Sequence, residues 1–210
     1  MLKIENVYTS GWKAAIRGMR NPKNSWAQID SAVVNGNGFV VGNNDYDLMY
    51  RLASAGTDHG KFMRMITVYL DVTAPLYWWK EFDTYKVGTV ANSCSTMHKI
   101  HSKEFTLDDF SHEQLNEKSL YMLNETVRYL NAVREAFVET KDKEYWWQMI
   151  QLLPSSYNQR RTVMLNYAVL QNIHHARRNH KLDEWHTFCD WIESLPYSDL
   201  ITGITGKAVL

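Results

Sequence analysis

The chain has few covalent or electrostatic devices of its own. Its 210 residues include two cysteines, Cys94 and Cys189, and no C-x-x-C pair. That removes a disulfide framework and a zinc knuckle, and it fits a reducing, cytoplasmic setting. Charge of one sign is missing too, because 23 basic residues balance 23 acidic ones. No global field holds nucleic acid or an anionic membrane, so any anionic ligand must be held by local charge. No apolar run reaches the roughly 18 residues of a membrane helix. Met1-Leu-Lys-Ile-Glu-Asn lacks the apolar core of a signal peptide. Internal repeats, low-complexity tracts and linkers are absent. His174-His175, His180 and His186 do not form an H-E-x-x-H pattern, so no metal site is expected.

Aromatic residues are plentiful, with eight Trp and twelve Tyr. A heavy core and contacts between subunits explain most of them, and a stacking platform for a base or flavin is the sharper reading. Hydrophobic content of 45% and charged content of 22% suit a globular protein. The length predicts a single domain over 1–210 that buries roughly 70% of its unfolded surface and needs no staple.

Alternation over Leu2–Tyr8 predicts an edge strand, and Trp12–Met19 a short helix capped by Ser10. Asn21-Pro22 marks a turn, and the apolar stretch Val33–Val41, broken by N-G-N-G, suggests a hairpin. Asp45–Ala55 is expected as a helix capped by Asp45 and ended by Gly56. Lys61–Ala74 alternates as a strand with Ile66, Val68, Leu70 and Val72 inward. Leu76–Lys86 follows as a helix, and Gly88–Met97 as a functional loop or a loop leading into a strand. Helices are then expected over Ser111–Thr140, Tyr145–Leu152, Tyr157–Asn179 and Leu182–Ser194. The class is α+β, an antiparallel sheet packed with long helices.

Two segments carry a resemblance. After Ala74-Pro75, Lys80-Glu81 stands where the flavin-dependent thymidylate synthase family has Arg-Gln. Thr84-Tyr85-Lys86 then lies at the R-H-R of the family signature R-H-R-x-x-S-x-N-E-x-S-x-R-Y, keeping one cation in Lys86. Thr89 falls at the first Ser, and a one-residue slip aligns Asn92 and Ser95, with Met97 and His98 in place of Arg and Tyr. Upstream, His59-Gly60 resembles the start of the family's His-containing segment, with Lys61, Arg64 and Met65 in place of its Ser, Glu and His. Downstream, Leu153-Pro154, Asn166, Leu170, Asn172 and Arg177 match the family spacing without a gap. Ile150 replaces an Arg, and Leu182-Asp183-Glu184-Trp185 echoes a later element.

The resemblance implies the thymidylate synthase-complementing-protein-like fold and a homotetramer. It implies FAD as cofactor, NADPH and methylene-tetrahydrofolate as co-substrates, and dUMP as the small-molecule nucleotide converted to dTMP. It implies cofactor contacts from His59, Asn166 and Asn172. Substrate contacts would come from Lys80, Glu81, Lys86, Thr89, Asn92, Ser95 and Arg177. The resemblance implies no cysteine nucleophile, and the sequence places no clear His base for Cys94, between two serines, which is read as a small buried thiol. Ordinary structural roles stand beside these: dipole complementarity for Arg177-Arg178, a satisfied amide for Asn166, an exposed pair for Lys80 and Glu81. Lysine neutralises phosphate but cannot fork onto it as arginine does. A related flavin- or nucleotide-using enzyme acting on another pyrimidine, and a non-catalytic binding or assembly protein retaining the fold, therefore stay open.

Overall fold

The computed structural model describes residues 1–34, 38–203 of the chain. In chain order, β1 (Lys3–Ser10) leads to α1 (Trp12–Arg20), a hairpin of β2 (Ala32–Val34) and β3 (Gly38–Val40), and α2 (Asn43–Ser54). A 3-10 turn over Gly60–Met65 precedes β4 (Thr67–Pro75), α3 (Leu76–Phe82), β5 (Val90–Ser93) and α4 (Thr96–Lys99). The rest is helical apart from one strand: α5 (Glu117–Thr140), α6 (Lys143–Leu152), β6 (Asn158–Asn166), α7 (Tyr167–Arg177), α8 (Asp183–Glu193) and α9 (Asp199–Thr202). The main sheet has the order β1-β4-β6-β5, so β1 is an edge strand as its alternation predicts. Leu76 N donates to Tyr157 O, and Tyr167 N to Ile66 O, so β4 and β6 run antiparallel. The expected α+β class holds. The hairpin register pairs Ala32 with Val40 and Val34 with Gly38; its expected N-G-N turn lies outside the described residues.

The chain divides into two compact units, and β1, β4 and β6 contribute residues to both. One unit comprises Met1–Glu5, Asp71–Thr84 and Ala91–Thr162. Its core gathers Leu123, Val127, Leu130 and Val133 of α5 with Met149 of α6, Ile100, Phe105 and Phe110. These α5 positions recur at three- and four-residue steps, the period of one helical face. The helix starts at Glu117, not Ser111, because the Asn116 side chain accepts from Ser119 N and fixes the first turn. In α3, Trp78, Trp79 and Phe82 are buried and pack ring on ring. That helix stops at Phe82, short of the expected Lys86, and Thr84 Oγ1 bonds back to Glu81 O.

The other unit comprises Asn6–Leu70, Tyr85–Val90 and Val163–Leu210. Ile66, Val68 and Leu70 are buried in the alternation the sequence predicts. Residues 60–65 are a 3-10 turn and not strand, with Phe62 and Met63 buried side by side, which period two forbids. Ser10 does not cap α1. The chain turns at Gly11, at φ +88, where a Cβ would stand 2.0 Å from Met65 O. Nor does Asp45 cap α2, which begins at Asn43. The Asp30 carboxylate accepts from Asn44 N at 2.8 Å and Asp45 N at 3.0 Å, while Asp45 is buried. Gly56, at φ +100, follows the end of α2 as expected.

The largest departure is over Tyr157–Asn179, expected as one helix. Asn158–Asn166 is a strand and only Tyr167–Arg177 is helical. Gln159, Val163 and Leu165 are buried while Arg160 and Thr162 are exposed, so the true period is two. Arg160 Nη2 and Thr162 Oγ1 both reach Asp71 on β4, at 2.8 Å and 2.5 Å. Cross-strand pairing thus overrides a sequence that also reads as a helix. Among the described residues no helix is long and apolar enough to cross a membrane.

Candidate functional site

The strand-to-helix junction at Asn166 builds the site. Asn166 keeps extended backbone while its Oδ1 accepts from Val169 N at 3.0 Å, the N-cap of α7. Starting the helix there sets Ala168, Gln171, Asn172 and His175 at i, i+3, i+4 and i+7, one above another. These four side chains, with Asn166 and His174, line a cavity of about 800 Å³ in the second unit. Gly56, Thr57, Gly60 and Arg64, following α2, line it too. Val87 and Gly88, then Ile201, Thr202 and Gly203, complete the lining. The volume is that of a site for a drug-sized ligand or cofactor.

The lining is mixed. Val87, Ala168, Val169 and Ile201 supply apolar surface, and Asn166, Gln171 and Asn172 supply amides. The first turn of α7 lies against the cavity, which brings the positive end of its dipole to it. Arg64 is the permanent cation of the lining. His174 Nε2 lies 3.0 Å from Glu193 Oε1, and Glu193 also lies 3.4 Å from Arg178 Nε, so His174 is tied to α8. Among the described residues no group of three or more His, Cys, Asp or Glu could hold a metal ion.

The sequence-predicted residues fall into three groups. Asn166 and Asn172 meet in the cavity. Lys86, Thr89, His59 and Arg177 belong to the same unit but lie outside the lining. Lys86 is exposed beside Val87, and His59 is exposed with its N–H on Gly56 O. Thr89 Oγ1 is buried with no hydrogen-bond partner among the described residues. Arg177 Nε donates to Tyr85 Oη at 2.8 Å, and its guanidinium stands 4.9 Å from the Trp185 ring centroid and 5.6 Å from that of Tyr85. Lys80, Glu81, Asn92 and Ser95 belong to the first unit. There Lys80 and Asn92 are exposed, the carbonyl of Glu81 holds Thr84, and Ser95 Oγ accepts from His98 N at 3.0 Å.

Sequence reasoning named Arg64 and His175 without giving them a place in the site, and passed over Gln171. The i, i+3, i+4, i+7 stripe would have marked two of them once the helix was begun at Tyr167. A helix drawn from Tyr157 contains the same stripe but leaves Asn166 in mid-helix and not at a cap, so nothing marks the stripe as the wall of a site.

The residues present fit a flavin. Three amides offer donors and acceptors to a polar ring edge, and apolar side chains offer a face. At Gly88, φ is +78 and a Cβ would come 2.8 Å from Asn166 Nδ2, so the absence of a side chain keeps this wall open.

No protein-family model matches the sequence, and no curated protein matches it either. The structure does find its class: the chain has the fold of the flavin-dependent thymidylate synthases. It is similar to thymidylate synthase X from Helicobacter pylori, solved with FAD and dUMP. The TM-score is 0.68 at 16% identity, covering 97% of this chain and 98% of that one. A second structure of that enzyme with FAD and dUMP gives 0.68 at 17% identity, covering 95% and 99%. A UMP/dUMP methylase from Streptomyces cacaoi, bound with 5-Br dUMP, gives 0.66 at 12% identity, covering 97% and 95%.

Proposed function

We propose that the chain belongs to the flavin-dependent thymidylate synthase family and methylates a pyrimidine nucleotide reductively, dUMP to dTMP being the preferred reaction. Methylene-tetrahydrofolate would give the carbon and NADPH the reducing equivalents. The observation that carries this reading is the α7 cavity, in which Asn166 and Asn172 meet as the family spacing implies. Asn166, Asn172 and Gln171 would hold FAD by its polar edge, with Val169 and Ile201 against its face. When bound, the flavin would supply the redox chemistry that a reductive methylation needs. The chain's own residues bind, orient and exclude water, as is usual for cofactor enzymes. Residues 1–210 would act as one functional domain, in a cytoplasmic homotetramer.

One observation favours a different pyrimidine as substrate. Arg177 is engaged by Tyr85 and Trp185. Lys80 and Lys86 stand where the family has arginines, so the groups that would recognise the nucleotide differ most. The fold also occurs in a methylase of UMP as well as dUMP. The test is flavin titration of the purified protein, followed by product analysis with dUMP and, separately, UMP in the presence of NADPH and methylene folate. Bound flavin with dTMP formation supports the preferred reaction. Bound flavin with methylation of UMP alone moves the substrate. A protein that takes up no flavin removes the enzyme reading and leaves a binding or assembly role for the fold.

A further inference from the structure

We propose that the end of α1, residues 23–28 and α2 form a second ligand site, separate from the α7 cavity, that binds the phosphate group of a small phosphorylated molecule. A cavity of about 560 Å³ lies there, lined by Arg20, Lys23, Ser25, Asn44, Asp47 and Arg51 among others. It shares no lining residue with the α7 cavity. Three cations therefore face one carboxylate in a pocket far larger than a single ion needs.

Arg20 is the centre of the argument. Its side chain is 2% exposed, and its Nε donates to the buried Asp45 Oδ1 at 2.6 Å. Nη1 reaches Ser25 O, Ser25 Oγ and Gln28 Oε1 only at 3.3–3.5 Å. Nη2 has no hydrogen bond among the described residues, yet it is not among the buried atoms left without a partner. It is the Arg20 nitrogen left for a ligand in the cavity that Arg20 lines. Asp45 holds one edge of the guanidinium, so the other edge is presented in a fixed direction, as bidentate recognition of an oxyanion requires.

The remaining cations are available to the same ligand. Lys23 makes no ion pair among the described residues. Arg51 uses its Nε on Asp47 O at 3.2 Å, which lays it along α2 and leaves its terminal nitrogens. Ser25 Oγ and the Asn44 side chain add neutral partners. Asp47 is the opposing charge. It disfavours a bare multiply charged anion and suits a ligand that also carries hydroxyls, since a carboxylate accepts from them. A phosphate monoester of a sugar or nucleoside has both features.

Thermal melting and phosphorus-31 NMR titration at constant ionic strength test the site, with ribose 5-phosphate and inorganic phosphate as probes. Ribose 5-phosphate should raise Tm of the wild-type chain and of Arg64→Ala, which alters only the α7 cavity. Replacing both Lys23 and Arg51 by Gln should weaken its binding about a hundredfold, one decade for each lost charge-assisted contact. Both side chains are exposed, so circular dichroism without ligand should show an unchanged fold; the NMR titration does not depend on stability. An effect that survives in the double variant, or that vanishes in Arg64→Ala, overturns the proposal. Inorganic phosphate binding with ribose 5-phosphate silent overturns it also, because the ligand would then be the free ion.

Discussion

Gly88 leaves room for the Asn166 side chain because it has none of its own. A Cβ on Gly88 would stand 2.8 Å from Asn166 Nδ2 and 3.2 Å from Val169 Cγ2, at a backbone φ of +78. Asn166 cannot swing aside freely, since its Oδ1 holds Val169 N. Gly88→Ala should therefore cost about 1–2 kcal/mol from the left-handed backbone alone, and more from the contact. Urea unfolding measures that cost. Flavin titration of the same variant should show weaker uptake, because the added methyl enters the cavity wall.

Asn166 has two jobs that can be separated. Asn166→Ala removes the cap of α7 and should cost about 0.5–2 kcal/mol. Asn166→Asp keeps an oxygen for Val169 N and complements the helix dipole, so stability should stay near wild type. It loses the Nδ2 donor, however, so flavin affinity should fall in Asp and Ala alike. Equal flavin affinity in Asn166→Asp and wild type would confine Asn166 to capping.

This double use explains how far the site was legible in the sequence. Asn166 and Asn172 were found because their spacing from Leu153-Pro154 survives without a gap, even though the element between was misread. The misreading has a physical cause. Gln159 to Leu165 contains no Gly or Pro, and it is a strand because it pairs between β4 and β5, both far away in sequence, with Arg160 and Thr162 reaching Asp71. Local signals served well where burial is one-sided, as at Ile66, Val68 and Leu70, or at Trp185, Phe188, Cys189 and Ile192 of α8. They failed at caps supplied from a distance: Asp30 reaches the N-terminus of α2 across more than ten residues, and no window around Asp45 contains it.

Arg20 and Asp45 offer a stability test. The pair is 2.6 Å apart with side chains 2% and 0% exposed, and Asp45 Oδ2 also accepts from Ser31 Oγ, Ser31 N and Asp30 N. Arg20→Ala strands a buried carboxylate and should cost about 3–5 kcal/mol. Arg20→Met with Asp45→Leu removes both charges and should cost less than Arg20→Ala alone, despite two changes. Urea midpoints of Arg20→Ala and the double variant check this, and a double variant less stable than Arg20→Ala would contradict it.

The two cysteines should behave as opposites. Cys94 is exposed and not the buried thiol its sequence setting suggests, because it follows the end of β5, whose residues are all exposed, whereas Cys189 is fully buried in α8. Burial pushes the Cys189 thiol up from 9.0 to about 11, against the opposing pull of Arg178. A thiol reagent should therefore titrate one group in the native protein and two after unfolding, and Cys94→Ser should abolish the native reaction. The same shift fixes a pH dependence. Below pH 9.0 both folded and unfolded chains keep the Cys189 proton, so the thiol has no effect on stability. Between 9.0 and about 11 the unfolded chain releases its proton first, so stability falls as pH rises. Tyr167, whose hydroxyl is also raised by burial and donates to Pro196 O, adds to the alkaline loss, so the wild-type profile alone cannot assign it. Cys189→Ala isolates the thiol. The variant should be less stable at neutral pH, because it leaves a small void, but its stability should fall less steeply than wild type across this window. Parallel profiles for the two proteins would show that the thiol does not ionise on unfolding.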